Sequence, residues 1–460
     1  MGGDRTLLGG NTTLAAVLSE AGCSHGALAR RVNELAGRQG VVTRYDKASV
    51  TRWLQGMHPR GHVPEFIAAA LAERLGRALS PVAIGFLAEP QRPVVARSLA
   101  YGEDVGETLH TLAELGSTDI SRRALLGSVP FVATALMDPQ RRWLLWLLED
   151  DQATHLTAVA NSGPAERVYA MIAMFDEMDN RFGGGQVRSS VVHYLTAEVV
   201  PMLQRSGAPE RQRGRLFTAA AKLAAMAGWS SYDSAEYGLA ERYMIQALRL
   251  CAEGGDRVLG GQILAGLSHL ATSLGRPDEG VALARSGLAT AKNAGSPLGL
   301  MRLHAMAARG HAALKHSAQA AASLKAADAA LDASDGPSEE SPWVRYLDHH
   351  YLEAEAAHCF RDLGDARRAE HLADDSVRAN ADRRRRQAIS QSVLATAHLQ
   401  QRRLDEAIDA ASTALNLLGT VHSERSVQAL RDFRTRLEPH HAEPLVRRFE
   451  RQARPVLGAA

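Results

Sequence analysis

The sequence predicts an all-α protein: a small helical domain at the N-terminus, then a long array of helical hairpins, an α-solenoid. Three observations carry this expectation. Alanine, leucine and arginine dominate while aromatics make up only 5% of 460 residues, and alternating Val/Ile/Thr-rich stretches are scarce, a balance that favours helix over sheet. The length exceeds what one hydrophobic core supports, so the chain holds several cores or a repeat array. From about Leu216 onward, a pattern of small and apolar residues recurs at a spacing of about forty.

The first helices lie between Asn11 and about Leu87. Thr12 or Thr13 caps one that runs through Ala21, with Leu14, Val17 and Leu18 on one face and Gly22 at its end. Ser24 caps a second, in which Leu28, Val32 and Leu35 share a face before Gly37. After the polar loop GRQGVVTRY, Asp46 caps and Gly56 stops a third, short helix. Its Val50, Trp53 and Leu54 form an apolar stripe, while Lys47, Ser49 and Arg52 point elsewhere. A polar loop with His58, Arg60 and His62 follows, and Pro64 opens a helix from Glu65 to Leu75 whose Phe66, Leu71 and Leu75 close the core.

The third helix, ending Val50-Thr51-Arg52-Trp53-Leu54-Gln55-Gly56, resembles the recognition helix of the Xre/phage-repressor helix-turn-helix family. The resemblance implies binding to double-stranded DNA, with Lys47, Ala48 and Arg52 on the base-reading side and Ser49 in reach of phosphate or base. Arginine suits a bidentate contact with guanine in the major groove. His58 and Arg60 are candidate phosphate contacts. About nine residues stand where the family has a tight turn, and they bring Arg38, Arg44 and Tyr45, which can lie along the DNA backbone. Charge agrees with this division. Residues 1–97 carry 12 Lys/Arg against 7 Asp/Glu, leaving 41 against 44 for the remainder, a mild electrostatic footprint for a segment that meets phosphates.

Glu89-Pro90-Gln91-Arg92-Pro93 cannot continue a helix and marks a boundary. The expected organisation is a DNA-binding domain over 11–88, a linker over 89–97, a helical connecting region over 98–205 and a repeat domain over 206–440. Within the connecting region, Trp143 to Leu148 is too short an apolar run to span a membrane and reads as core. Phe182-Gly183-Gly184-Gly185-Gln186 lacks the strand and the Lys-Ser/Thr of nucleotide-binding loops, and reads as a helix end and turn. The helix after it turns Val191, Leu195 and Val199 inward.

In the repeat domain a small residue is followed eight positions later by an apolar one: Ala240 to Leu248, Gly280 to Leu288, Ala369 to Val377 and Ala407 to Leu415, with Ala320 to Asp328 the least faithful copy. Leu274-Gly275-Arg276-Pro277, Leu363-Gly364-Asp365 and Arg403-Leu404-Asp405-Glu406 read as the turns before these anchors. The stretch from Ser334 to Pro342 is an inserted loop. Leu-Gly turns followed by alanine are similar to the tetratricopeptide repeat. The whole order, with an Arg-Phe-Gly-Gly-Gly-Gln-Val-Arg turn and an Ala-Gly-Trp-Ser-Ser-Tyr-Asp segment leading to Gln246-Ala247-Leu248-Arg249-Leu250, resembles actinobacterial regulators with tetratricopeptide-like repeats.

That resemblance implies a homodimeric transcription regulator, in development or secondary metabolism, whose repeats sense a peptide, small-molecule or protein effector. A repeat scaffold without sequence-specific DNA binding is the alternative. No clustered acid, base or nucleophile argues for an enzyme, and no cofactor motif is present. His349, His350, His358, Cys359 and Glu353 lack a metal-site pattern. Arg383 to Arg386 reads either as a solvated helix start or as a contact for phosphate or an acidic partner. Cys23, Cys251 and Cys359 are too far apart for a redox or zinc motif, Arg122-Arg123 lies too deep in the chain for an export signal, and no signal peptide or apolar span appears, so a cytoplasmic location is expected.

Overall fold

The computed structural model describes residues 10–38, 43–57, 59, 63–77, 79, 81–86, 94–121, 129–149, 163–182, 184–205, 210–291, 294–381, 383–419 and 423–458. Among them every regular element is helical, and the helices pack in consecutive pairs. The chain divides into two compact units, Met1–Arg92 and Pro93–Ala460. The proline boundary itself, 87–93, lies outside the described residues, as do Arg122 and Arg123.

The first unit holds α1 (Thr12–Glu20), α2 (His25–Arg38), α3 (Lys47–Leu54) and α4 (Val63–Leu75) around Leu14, Leu28, Val32, Val50, Trp53, Ile67 and Leu71. Asn11, not Thr12 or Thr13, caps α1. Its Oδ1 accepts from the Leu14 N–H at 2.8 Å while its Nδ2 donates to the Ile84 carbonyl at 3.2 Å. One side chain thereby fixes a helix start and the end of the unit.

The second unit begins with α5 (Val105–Ser121), α6 (Met137–Glu149), α7 (Pro164–Phe182) and α8 (Gly184–Tyr194), which passes through a π-helical turn, Leu195–Val199. Six pairs follow: α9 (Glu210–Asp233) with α10 (Tyr237–Gly254), α11 (Arg257–Ser273) with α12 (Pro277–Ala291), α13 (Pro297–Ala313) with α14 (Ser317–Asp332), α15 (His349–Leu363) with α16 (Ala366–Ala379), α17 (Arg384–Gln400) with α18 (Leu404–Leu418), and α19 (Glu424–Arg436) with α20 (Pro444–Leu457). Two differences from the sequence division stand out. The described helices between 94 and 205 share one core with α9 to α11 rather than forming a separate connection, and the array runs past 440, because α20 buries Val446 and Phe449 with Phe433.

The five spaced anchors all fall on the fourth residue of the second helix of a pair: Ala240, Gly280, Ala320, Ala369 and Ala407. The four alanines are fully buried, and a Cβ on Gly280 would stand 3.0 Å from the Ser268 carbonyl oxygen. Small side chains are therefore needed where paired helices touch most closely. The weak third copy has a physical reason: Asp328 is exposed, and α14 buries Ala320, Leu324 and Ala327 instead.

Each of the first five turns closes in the same way. Ala235, Gly275, Lys315, Gly364 and Arg402 adopt left-handed backbone with φ of 59°, 75°, 63°, 86° and 62°. The next residue donates its N–H back five positions, as from Arg276 to Ala271 and from Arg403 to His398, at 2.9 and 3.0 Å. This is the Schellman closure, which glycine adopts without a Cβ penalty. Three of the five turns use a larger residue, so the turn is set by the hairpin and not by glycine alone.

Helix α10 is buried on nearly every face because the 94–149 segment covers it. A polar row along it holds that segment: Arg242 Nε donates to the Val95 carbonyl at 2.8 Å, Gln246 Nε2 to those of Ser98 and Ala100 at 2.9 Å, and Arg249 Nε to that of Gly102 at 2.9 Å. Trp143 is seated beside Gly260 and donates from Nε1 to Thr290 Oγ1 at 2.8 Å. The apolar run of α6 is thus partly core, although Leu145 and Leu148 are exposed.

Two outcomes are expected. Arg402→Gly raises the unfolding free energy by about 1 kcal/mol and Gly364→Ala lowers it by about as much, measured by denaturant titration. Glu241 is fully buried on α10, accepts the Val132 N–H at 2.8 Å, and burial pushes its carboxyl up to about 7. The folded chain keeps a proton that the unfolded chain releases near 4.5, so stability falls as pH rises from about 4.5 to about 7. Glu241→Gln keeps the acceptor, flattens this slope and gains about 3 kcal/mol above pH 7, read from melts across pH.

Candidate functional site

In the first unit α3 presents the predicted site. Asp46 caps it, its Oδ1 accepting the Ser49 N–H at 2.8 Å, and Ser49 Oγ completes a capping box. The Ser49 N–H and the Arg52 guanidinium depress the Asp46 carboxyl below its ordinary range, the hydrogen bond first. Lys47, Ala48 and Arg52 are exposed together on the outer face, and Arg44 is exposed just before the helix. Ser49 differs from expectation. It is only 5% exposed, its hydroxyl donates to Asp46 and accepts from Arg52 Nη2 at 3.2 Å, so the cap uses the oxygen that was expected to reach outward. His58 and Arg60 lie outside the described residues.

The long approach to α3 is anchored at its return. Asn33 on α2 donates from Nδ2 to the Tyr45 carbonyl and accepts the Tyr45 N–H, both at 2.9 Å, and also accepts from Thr43 at 2.8 Å. Tyr45 then meets Trp53 edge-on with centroids 5.1 Å apart. A single amide thus replaces the tight turn in fixing α3 against α2. Some cations of this unit are held by carboxylates and others are not. Arg31 pairs with Glu34 and Glu73, and Arg77 with Glu20, whereas Arg44, Lys47 and Arg52 make no ion pair among the described residues.

A second site emerges in the other unit, which sequence reasoning left without residues. The first helices of the pairs, α9, α11, α13, α15, α17 and α19, line a cavity of about 920 Å³. The array closes on itself, since α9 touches α19. Asp233 at the end of α9 joins Arg385 of α17 at 2.5 Å and Arg425 of α19 at 3.3 Å, and Arg385 also reaches Asp179 of α7 at 3.4 Å.

One wall is aromatic. Trp229, Tyr232 and His269 stand with centroids 5.5 to 5.8 Å apart. Arg302 lies over Trp229 at 5.5 Å, and Arg425 over Tyr232 at 5.2 Å. Close packing allows this: a Cβ on Gly266 would meet the Trp229 indole at 3.1 Å. Burial, reinforced by Arg425, Arg309 and Arg302, holds the His269 imidazole well below its usual range, and burial with Arg309 and Arg361 does the same to His358. Both rings are neutral in a positive field.

The inserted loop supplies another wall. Its Glu340 is buried, accepts from Ser296 Oγ at 2.6 Å and from the Leu298 N–H at 2.8 Å, and so caps α13. Trp343 donates from Nε1 to Asp256 Oδ2 at 2.6 Å and stacks on Tyr169. Arg345 and Tyr346 then face the cavity. The Arg383–Arg386 run resolves by residue: Arg385 closes the array, Arg386 is half-buried in the cavity wall, and Arg383 lines it while exposed. His349 and His350 each pair with Glu353 at 3.0 Å, and no group of three His, Cys, Asp or Glu among the described residues is placed to hold a metal.

The sequence signal for this site was the Ala-Gly-Trp-Ser-Ser-Tyr-Asp segment. Trp229, Tyr232 and Asp233, at i, i+3 and i+4, share one helix face, and that face lines the cavity. Partners from α13, α15 and α17 carry no such local pattern.

A family described as the SP15 N-terminal domain matches residues 14–87, which is α1 through the short turn at Val82–Ile84. No curated protein matches the chain. No helix among the described residues is long and apolar enough to cross a membrane.

Asp233→Asn leaves two arginines facing one another without their shared carboxylate. The expected cost is about 3 kcal/mol in denaturant titration of the full chain, with a larger radius in small-angle scattering; an unchanged radius and midpoint would show that the contact does not hold the array closed.

Proposed function

We propose that this protein is a DNA-binding transcription regulator, acting as a homodimer, whose tetratricopeptide-like array senses an effector. The observation that carries the reading is the cluster of three exposed cations on and just before α3. Among the described residues, Arg31 and Arg77 are held by carboxylates, Arg74 donates to the Gly22 carbonyl and Arg30 stands alone on α2, while Arg44, Lys47 and Arg52 are exposed together on and before α3 without ion pairs. Beyond its one bond to Ser49, the Arg52 guanidinium keeps donors that can exchange water for phosphate or guanine. The capping box supports the same reading, because it fixes the start of a helix only eight residues long. Two copies of such a helix suit half-sites one helical turn apart, and effector binding to the array would alter their spacing.

The test begins with genome-wide capture of bound DNA and proceeds to binding across salt with the recovered sites. Arg52→Ala should lose about 1 to 3 kcal/mol of specific affinity, and Lys47→Ala should weaken binding evenly across sequences with a shallower salt dependence. Light scattering should show two protein copies on each site. Weak binding without sequence preference, together with a co-purified protein, would instead identify a repeat scaffold.

A further inference from the structure

The cavity of the second unit has an unbalanced account of charge. Each carboxylate on its wall except Asp432 is held by a cation: Asp176 by Lys222 at 3.2 Å, Asp179 and Asp233 by Arg385, Glu355 by Arg309 at 2.5 Å, and Asp362 by Arg361 at 2.6 Å. Asp432 accepts from Gln428 Nε2 at 2.9 Å. Arg302 and Arg386 make no ion pair among the described residues.

Arg302 is 6% exposed, deep in the wall. Its Nη1 donates to Gln262 Oε1 at 2.7 Å, but its Nε and the Gln262 Nε2 have no acceptor. A neutral amide cannot balance a buried guanidinium, and buried donors left unused are costly. Arg386 stands in the same field: both arginines interact electrostatically with Tyr346 and Tyr351. Those two tyrosines meet edge-on with centroids 6.4 Å apart. Tyr351 also hydrogen-bonds Arg302, and Glu355 and Asp348 act on Arg302 and Arg386 respectively from beyond ion-pair distance. Two cations without a paired carboxylate therefore line a cavity that also holds two aromatic groups, Trp229–Tyr232–His269 and Tyr346–Tyr351.

We infer that this cavity binds a small aromatic anion, its carboxylate or phosphate held by Arg302 and Arg386 and its ring seated against Trp229 and Tyr232. A volume of about 920 Å³ suits a ligand of drug-like size. An acidic group would take up the unused donors of Arg302 and Gln262, with Arg giving a planar, two-toothed contact. The ring would replace water on an apolar wall, and neither part alone satisfies both. This deepens the effector-sensing reading and rests on it.

The test is isothermal titration calorimetry on the full chain without DNA, using phenyl phosphate, benzoate, inorganic phosphate and benzyl alcohol. Phenyl phosphate or benzoate should bind at least about tenfold more tightly than either inorganic phosphate or benzyl alcohol, and which of the two is tighter identifies the acidic group. Arg386→Gln should weaken the aromatic anion about tenfold with an unchanged melting midpoint, and Arg386→Lys should recover part of the loss. Trp229→Leu should bring phenyl phosphate down to the affinity of inorganic phosphate. Binding of benzyl alcohol equal to that of the anions, an Arg386→Gln protein that binds as well as wild type, or no heat from either aromatic anion at millimolar concentration would each overturn the inference. DNA recognition by α3 stands or falls separately, since no DNA is present.

Discussion

Asp233 is the residue on which the second unit turns. A stack of helical hairpins is open by construction, each pair touching only its neighbours. Here the first inner helix meets the last through one carboxylate between Arg385 and Arg425. Closing the array turns a concave surface into a cavity, and it places Arg385, Arg386 and Arg425 opposite the aromatic face of α9 and α11. It also buries a charge cluster, which is stable only while every member keeps its partner.

Closure needs a fixed starting geometry, and α10 provides it. Arg242, Gln246 and Arg249 bind backbone carbonyls of residues 95–102 along one line. That segment is thereby fastened to the first pair, and the outer side of α10 becomes core instead of surface. Its partner α9 lines the cavity with one face. Helices α5 to α8 thus act as a brace for the array's first turn, which explains why they share its core.

Local features of this fold were legible in the sequence because they repeat. The anchors at Ala240, Gly280, Ala320, Ala369 and Ala407 mark close contact between two helices joined by a short turn, and such contacts are set within about forty residues. The caps of α2 and α3 were legible for the same reason, being contacts between residues three apart. Asn11 was not, since its second bond is to Ile84, far along the chain. Nor was the role of Asn33, which pins the loop that stands where the family has a tight turn. Ser49 shows the limit of a helical wheel: the position points away from the apolar stripe, but a serine at the third position of a capped helix turns back onto the cap.

The cavity was hidden for a different reason. Its chemistry comes from side chains on many helices spread between Asp176 and Asp432, and arginine at any one of those positions resembles ordinary surface charge. The run from Arg383 to Arg386 makes the point within four residues. Helical geometry sends neighbouring side chains about 100° apart, so a charge run cannot have one fate: Arg385 joins Asp233, Arg386 enters the wall, and Arg383 stays exposed. What separates an available cation from one already committed is whether a carboxylate holds it. That property belongs to the folded array, and it is the same property that sets Arg44, Lys47 and Arg52 apart from Arg31 and Arg77 in the first unit.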